Sequence, residues 1–264
     1  MKRSNVVTTV DLNGGTFPPR QSVIIRTAKD VVLRANRTSV RDFSRLFNPA
    51  YRRRTIQAAV GGACQSMQYY AVGFFLPVII AGFLAQGRLT PIVAPLIFNL
   101  VFGVTGGFLG VWLTRRLGSW KLSVSGFAIC LVALVALGLL GKPTGNAGLV
   151  TALVLLGSFV FFHAYGPGAQ GMRMATLSYP TSIRGVGAGF GQAILRVGST
   201  ISLLLFPILS KNLGSAVFLI VAVAPLLGLI VLGLCRYEPI GQDVDGEDYE
   251  VAADRQHGQS PWEA

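Results

Sequence analysis

The sequence predicts an all-α integral membrane protein with six transmembrane helices, and three observations lead there. First, the 264 residues carry only 13% charged side chains against 52% hydrophobic ones, with a mean hydropathy of +0.56. Soluble domains carry about a quarter charged residues. Second, residues 55–236 hold 10 Lys and Arg but no Asp or Glu, whereas a soluble surface interleaves both signs of charge. Third, that stretch divides into six apolar segments, each suited to the roughly 20 helical residues that a hydrocarbon core requires. The net charge of +12 would suggest nucleic acid in a soluble chain; its placement around apolar spans argues against that partner. No segment alternates with period 2, so a β-barrel is not expected.

Residues 1–54 hold 12 Lys and Arg and 3 acids and are expected to form a basic cytoplasmic segment. Within it Ile24, Ala28, Val31 and Ala35 share one helical face, which fits either a helix on the anionic leaflet or a solvated linker. The start, Met1-Lys2-Arg3-Ser4-Asn5, lacks the apolar stretch of a cleavable signal peptide, so the first span is expected to direct insertion. Spans are predicted at 56–84, 92–113, 122–140, 148–172, 186–209 and 216–235 within a transmembrane domain of residues 55–236. The breaks are Gln86-Gly87-Arg88, Arg115-Arg116, Gly141-Lys142-Pro143, Tyr179-Pro180-Thr181 and Lys211-Asn212. Pro77 and Pro207 predict kinks. Residues 237–264, with 8 acids and one Arg, are expected to be a disordered acidic cytoplasmic tail.

Loop charges set the expected orientation. Arg52, Arg53 and Arg54, then Arg115, Arg116 and Lys121, then Arg184, then Arg236 fall on one side; Arg88, Lys142 and Lys211 fall one to a loop on the other. Positive charge accumulates inside, so both termini are expected in the cytoplasm and the protein in the plasma membrane. Cys64, Cys130 and Cys235 are dispersed and suit neither a metal site nor a disulfide framework. No metal or cofactor is expected. With no carboxylate in the spans, neither an acid pair nor a Ser-His-Asp set is available there, so an enzyme is not expected.

Ionisable and amide groups at bilayer depth are costly and mark functional candidates. Arg196 lies twelve residues beyond Arg184, about 18 Å along a helix, near mid-membrane. It suits an anionic substrate or an acid from elsewhere, or else it caps carbonyls or snorkels. Gln65, Gln68 and Tyr69 share a face of the first span, lining a cavity or bonding between helices. Asn99 is a further cavity candidate. The fourth span contains His163-Ala-Tyr165-Gly166-Pro167-Gly168-Ala-Gln170, in which Gly-Pro-Gly weakens the helix. His163 suits proton relay or a structural role, Gln170 is a substrate candidate, and Arg173 is expected to snorkel. The glycines at 185–191 lack the spacing of a nucleotide loop and suit close helix packing.

The run Tyr179-Pro180-Thr181-Ser-Ile183-Arg184-Gly185 resembles the Y/F-P-T-x-x-R-G signature joining helices 10 and 11 in the major facilitator superfamily. Leu177 stands where several branches of that family carry an acid. Gly187-Ala-Gly189-Phe-Gly191 and Arg196-Val-Gly198-Ser199 are similar to the G-x-G…R-x-G pattern of its aromatic-acid and metabolite proton symporters. Leu113-Thr-Arg115-Arg116-Leu-Gly118-Ser-Trp-Lys121 is like the D-R-x-G-R-R loop between helices 8 and 9, with Arg115 at the usual Asp. Arg236-Tyr-Glu238-Pro-Ile-Gly241 resembles an E-T-K-G tail. The resemblance covers residues 40–245 and implies helices 7–12 of a twelve-helix bundle. It implies alternating access, proton-coupled movement of a small polar solute such as a sugar or organic acid, and a partner half supplying the other cavity wall. Arg115, Arg116, Gly118, Pro180, Thr181, Arg184 and Gly185 would then belong to cytoplasmic gating loops. A truncated, non-transporting scaffold that pairs with another half is the alternative. The expected partners are the lipid bilayer, the solute, protons and that half.

Phosphatase inserted after Pro143 should be active and phosphatase after Gly118 inactive in intact cells; the reverse pattern would overturn the orientation.

Overall fold

A computed structural model describes residues 40–83 and 90–246; the amphipathic stretch at 24–35 and the tail beyond Gly246 lie outside the described residues. Every regular element described is helical. After a short α1 (Val40–Arg45), the elements are α2 (Pro49–Val72), α3 (Leu76–Phe83) and α4 (Thr90–Phe98), then a π-helical stretch Asn99–Val104 running into α5 (Thr105–Leu117). They continue with α6 (Ser119–Leu140), α7 (Gly145–His163), a second π-helical stretch Ala164–Gly168, α8 (Ala169–Leu177) and α9 (Arg184–Leu213). A 3-10 turn at Gly214–Ala216 leads to α10 (Val217–Val221) and α11 (Val223–Leu234).

Length and apolarity give four candidate membrane spans, Ile92–Leu117, Ser119–Leu140, Gly145–Leu177 and Arg184–Leu234, with α2 and α3 a fifth if taken together. The first predicted span is thus not one straight helix: α2 and the segment Leu76–Gly82 meet at 41°. Gly73, Phe74 and Phe75 separate them just ahead of Pro77, whose ring forbids a helical hydrogen bond at its own nitrogen. Pro207, by contrast, lies inside α9 without ending it.

The run Arg184–Leu234 has 51 residues, far more than one crossing uses. A straight helix would hold Leu195 and Leu232 about 55 Å apart. Yet the adjacent Gly61 and Gly62 abut Leu232 and Leu195 respectively. The run therefore doubles back, and Gly214, at φ +56°, occupies the bend where a side chain would be strained. Contacts of Gly198 with Ala63, and of Ser202 with the Met67 carbonyl, place α9 parallel to α2. Contacts of Leu232 with Gly61, and of Tyr237 with Gln57, place α11 antiparallel to it.

The largest apolar core joins α2, α3, α6, α7, α9 and α10 through Val72, Leu76, Ile80, Leu134, Leu156, Phe159 and Phe206. The other dense contact is backbone against backbone. A Cβ at Gly106 would overlap the carbonyl oxygen of Phe161, and one at Gly110 that of Tyr165. Gly126 of α6 would meet the Pro167 ring at 2.5 Å and the Phe162 carbonyl at 2.8 Å. Small residues let membrane helices approach this closely, and here they clasp the second π-helical stretch from two sides. Gly107 faces open space.

Gly110→Val should therefore lower stability by about 1–3 kcal/mol, the usual cost of overpacking, seen as a lower unfolding midpoint in detergent. Gly107→Ala should leave it unchanged; equal losses at both would sink the packing account.

Candidate functional site

The fourth predicted span yields a helix that stays wound through Gly166-Pro167-Gly168 but widens to π geometry there. Pro167 supplies no N–H, and one wider turn absorbs the register change. His163, the last residue of α7, sits at its upstream edge and is 4% exposed. Measured from the predicted span limits, Gln65 and His163 each lie about 14 Å from the Arg-rich end, near the middle of a 30 Å core.

The ring of His163 is held between two glutamines of α2. Its Nε2 lies 3.2 Å from Gln65 Nε2, and its Nδ1 lies 3.3 Å from Gln68 Nε2. An uncharged imidazole has one donor and one acceptor nitrogen, so one glutamine turns its oxygen toward the ring. Gln68 is fully buried and its Oε1 has no partner. Turning that amide over gives Nδ1–H its acceptor and leaves the NH2 as the unpaired buried group. Tyr69 stacks on the imidazole at 4.9 Å between centroids, and Phe159 lies 6.0 Å away on a nearly parallel plane. Gln65, Tyr69 and His163 form the polar wall of a wide-mouthed cavity of about 550 Å³, which Gly103, Gly107, Phe108 and Val111 of the second span close from the other side.

The remaining sequence candidates separate. Gln68 stands behind His163 and not on the cavity wall. Asn99 is half-buried, and its Nδ2 donates to the Pro95 carbonyl at 3.1 Å, a turn short of the cavity residue Gly103. Gln170 is fully buried at a helix junction: its Nε2 donates to Thr114 Oγ1 at 2.9 Å, and its Oε1 accepts from Ser119 Oγ at 2.9 Å and from Arg173 Nη1 at 3.2 Å. Arg173 thus binds a neighbouring amide, where snorkelling was expected. Arg196 is exposed and, among the described residues, neither caps a carbonyl nor reaches a carboxylate; its Nη1 donates to Tyr70 Oη at 3.1 Å.

The gating-loop candidates gather at the Arg-rich end. Gly118, at φ +81°, immediately precedes α6 as its N-cap and leaves no room for a side chain beside Glu238. Glu238 accepts the Trp120 N–H at 2.7 Å, a carboxylate at the positive end of a helix. Trp120 Nε1 donates to the Leu232 carbonyl at 2.8 Å, and Arg236 lies over its indole at 4.5 Å. Asp245 accepts the Thr181 N–H at 2.5 Å and the Thr181 hydroxyl at 3.0 Å, and pairs with Arg184 at 3.6 Å. Arg184 Nε also donates to the Tyr179 carbonyl at 3.1 Å. Pro180 is buried, Gly185 is open, and Arg115 and Arg116 are exposed, with Arg116 over the Trp112 ring at 5.0 Å. Tyr179 is buried and donates to Thr55 Oγ1 at 3.0 Å. Burial pushes its phenol pKa up, against smaller opposing effects of Thr55 and Arg54.

Within the tail expected to be disordered, Glu238 and Asp245 thus meet N–H groups of the loops and the Arg184 guanidinium. Asp245 escaped sequence reasoning, and Glu238, Thr114, Ser119 and Trp120 entered it only as motif positions without a role. For the two acids the available signal was the basic loops, which need counter-charge.

Against known proteins, residues 11–249 match the model of the family described as Sugar (and other) transporter. The chain belongs to that family. It is thus a multi-pass membrane protein of a transporter family and not an enzyme. It is 28% identical over 190 residues to the inner membrane metabolite transport protein YgcS of Escherichia coli, an alignment covering 72% of this chain and 40% of that protein. It is 29% identical over 140 residues to the MFS-type transporter lnaF of Aspergillus flavus, covering 51% of this chain and 28% of that protein. The chain is much shorter than these relatives, at little more than half the length of the first.

Gln170→Leu would strip Ser119 and Arg173 of an acceptor, at about 1–3 kcal/mol for a buried group left unpaired. Thermal unfolding in detergent should show that loss, and no loss would mean the junction is not structural.

Proposed function

We propose that this chain acts as the C-terminal six-helix half of a secondary transporter. It moves a small polar solute, such as a sugar, an organic acid or a similar metabolite, by proton-coupled alternating access in the plasma membrane. In this reading the Arg-rich end, with both termini, lies in the cytoplasm, and the run Arg184–Leu234 counts as two of six crossings. One observation carries it: Gln65, Tyr69 and His163 form the polar wall of a cavity at mid-membrane depth. The Gln65 amide and the Tyr69 phenol suit the hydroxyl and carbonyl groups of such a solute, and the His163 ring, bonded through both nitrogens to Gln65 and Gln68, holds them in position. Family membership and the metabolite-transport relative support it.

In such transporters the substrate lies between two halves that rock about it. This chain supplies one wall. The close backbone clasp at Gly106, Gly110 and Gly126 lets that wall move as a unit, and Glu238 and Asp245 tie the loops at its cytoplasmic end. Residues 55–236 contain no carboxylate, so a carboxylate that carries the coupled proton belongs to the other half. The scaffold alternative is a chain that pairs with another half without transporting.

Proteoliposomes carrying the chain with a family N-terminal half should show saturable uptake of a radiolabelled metabolite. Gln65→Leu should lower kcat/KM roughly fivefold to tenfold, the effect of one lost hydrogen bond. Unchanged uptake in that variant would remove the cavity from the mechanism. Saturable transport by this chain alone would defeat both the half assignment and the scaffold alternative.

A further inference from the structure

We infer that the solute is a hydroxylated carboxylate, of the sugar-acid class, whose carboxylate binds Arg196 and whose hydroxyls meet Gln65 and Tyr69, which His163 holds in place. The inference rests on the cavity being the solute site. Its new element is how Arg196 is held. The guanidinium is tethered to Tyr70 Oη at 3.1 Å. The Tyr70 ring packs edge-on against Tyr69 at 5.6 Å, and Tyr69 both lines the cavity and stacks on His163. One aromatic step thus separates the cation from the polar wall. The tether occupies one of its five donors, leaving a fork free for a planar, bidentate carboxylate.

Charge selects among solutes at such a site. With no Asp or Glu at residues 55–236, nothing in the spans neutralises Arg196, and a cation at this depth is costly. An anion brings its own compensation, a neutral sugar would be enclosed beside an unpaired guanidinium, and a cationic solute would be repelled. Gln65, Tyr69 and His163 carry no formal negative charge to oppose a carboxylate. Gln65 and Tyr69 between them offer a donor and an acceptor, which is what hydroxyl groups require.

The test compares acids with neutral counterparts on the full chain assembled with a family N-terminal half in phosphatidylcholine nanodiscs, by calorimetric titration of gluconate against glucose and quinate against inositol. The acids should bind at least roughly tenfold tighter than the neutral compounds. Arg196→Gln should weaken acid binding roughly tenfold to a hundredfold, as loss of a charge-assisted contact does. Arg196→Lys should restore part of it, and Tyr70→Phe, which frees the guanidinium without removing it, should give a smaller loss. Thermal unfolding of each variant separates binding from folding defects. Equal affinity for acids and neutral compounds, or acid binding unaffected by Arg196→Gln, would overturn the anion assignment and leave the cavity as a neutral-solute site. Binding of none of the four compounds would overturn the cavity reading as well.

Discussion

At Gly106 and Gly110 the backbone of one helix lies against the carbonyls of Phe161 and Tyr165, and at Gly126 a second helix presses the Phe162 carbonyl and the Pro167 ring. Much of the site depends on that clasp. A helix widened at Ala164–Gly168 has displaced backbone groups, and lipid offers nothing to satisfy them. Two glycine-bearing helices close over the widened turn and exclude lipid from it. The turn in turn fixes where α7 ends, and so brings the His163 ring between Gln65 and Gln68. A side chain at either clasping glycine of α5 would move the wall that faces His163 across the cavity, so packing and binding geometry are one problem here.

Much of this was legible in the sequence because lipid imposes strict rules. A carboxylate-free apolar stretch leaves few soluble solutions, and Gly, Pro and charge mark where the chain turns, as at Gly141-Lys142-Pro143 and Lys211-Asn212. Gln65, Tyr69 and His163 stood out as polar groups in apolar runs. The same rule could not separate Gln65, on the cavity, from Gln170, locked between Thr114 and Ser119: an amide facing a solute and one facing a neighbouring helix satisfy the same requirement. Thr114 and Ser119 gave no signal, because small hydroxyls in membrane helices often bond within their own helix, as Thr114 also does with the Gly110 carbonyl. The bend before Pro77 was legible as a kink, though not that the helix would end at Val72.

The acidic tail illustrates a different limit. Its composition is that of a solvated segment, and hydropathy is blind to charge complementarity across long separations. Glu238 is 118 residues from Trp120, and Asp245 is 64 from Thr181. Glu238 sits where α6 begins and its first N–H groups are unpaired, and Asp245 holds the turn at Thr181 and the Arg184 guanidinium that follows it. The need was written in the basic loops; the residues that meet it lie far along the chain.

Charge is thus partitioned by location. At the Arg-rich end, where water and the tail are at hand, Arg184 has a carboxylate and Trp120 a carboxylate-capped N–H. Within the spans, Arg173 and Arg196 are held by neutral oxygens, an amide and a phenol. Neutral acceptors orient a guanidinium and leave its charge intact. Arg173 spends that charge at a junction already crowded by Gln170, Thr114 and Ser119, whereas Arg196 is exposed and bonded to Tyr70, whose ring packs against Tyr69 of the cavity wall. Whatever closes over that face, a solute or another protein surface, meets a positive potential in a low-dielectric setting. Negative charge on the incoming side lowers the energy of closure, and positive charge raises it.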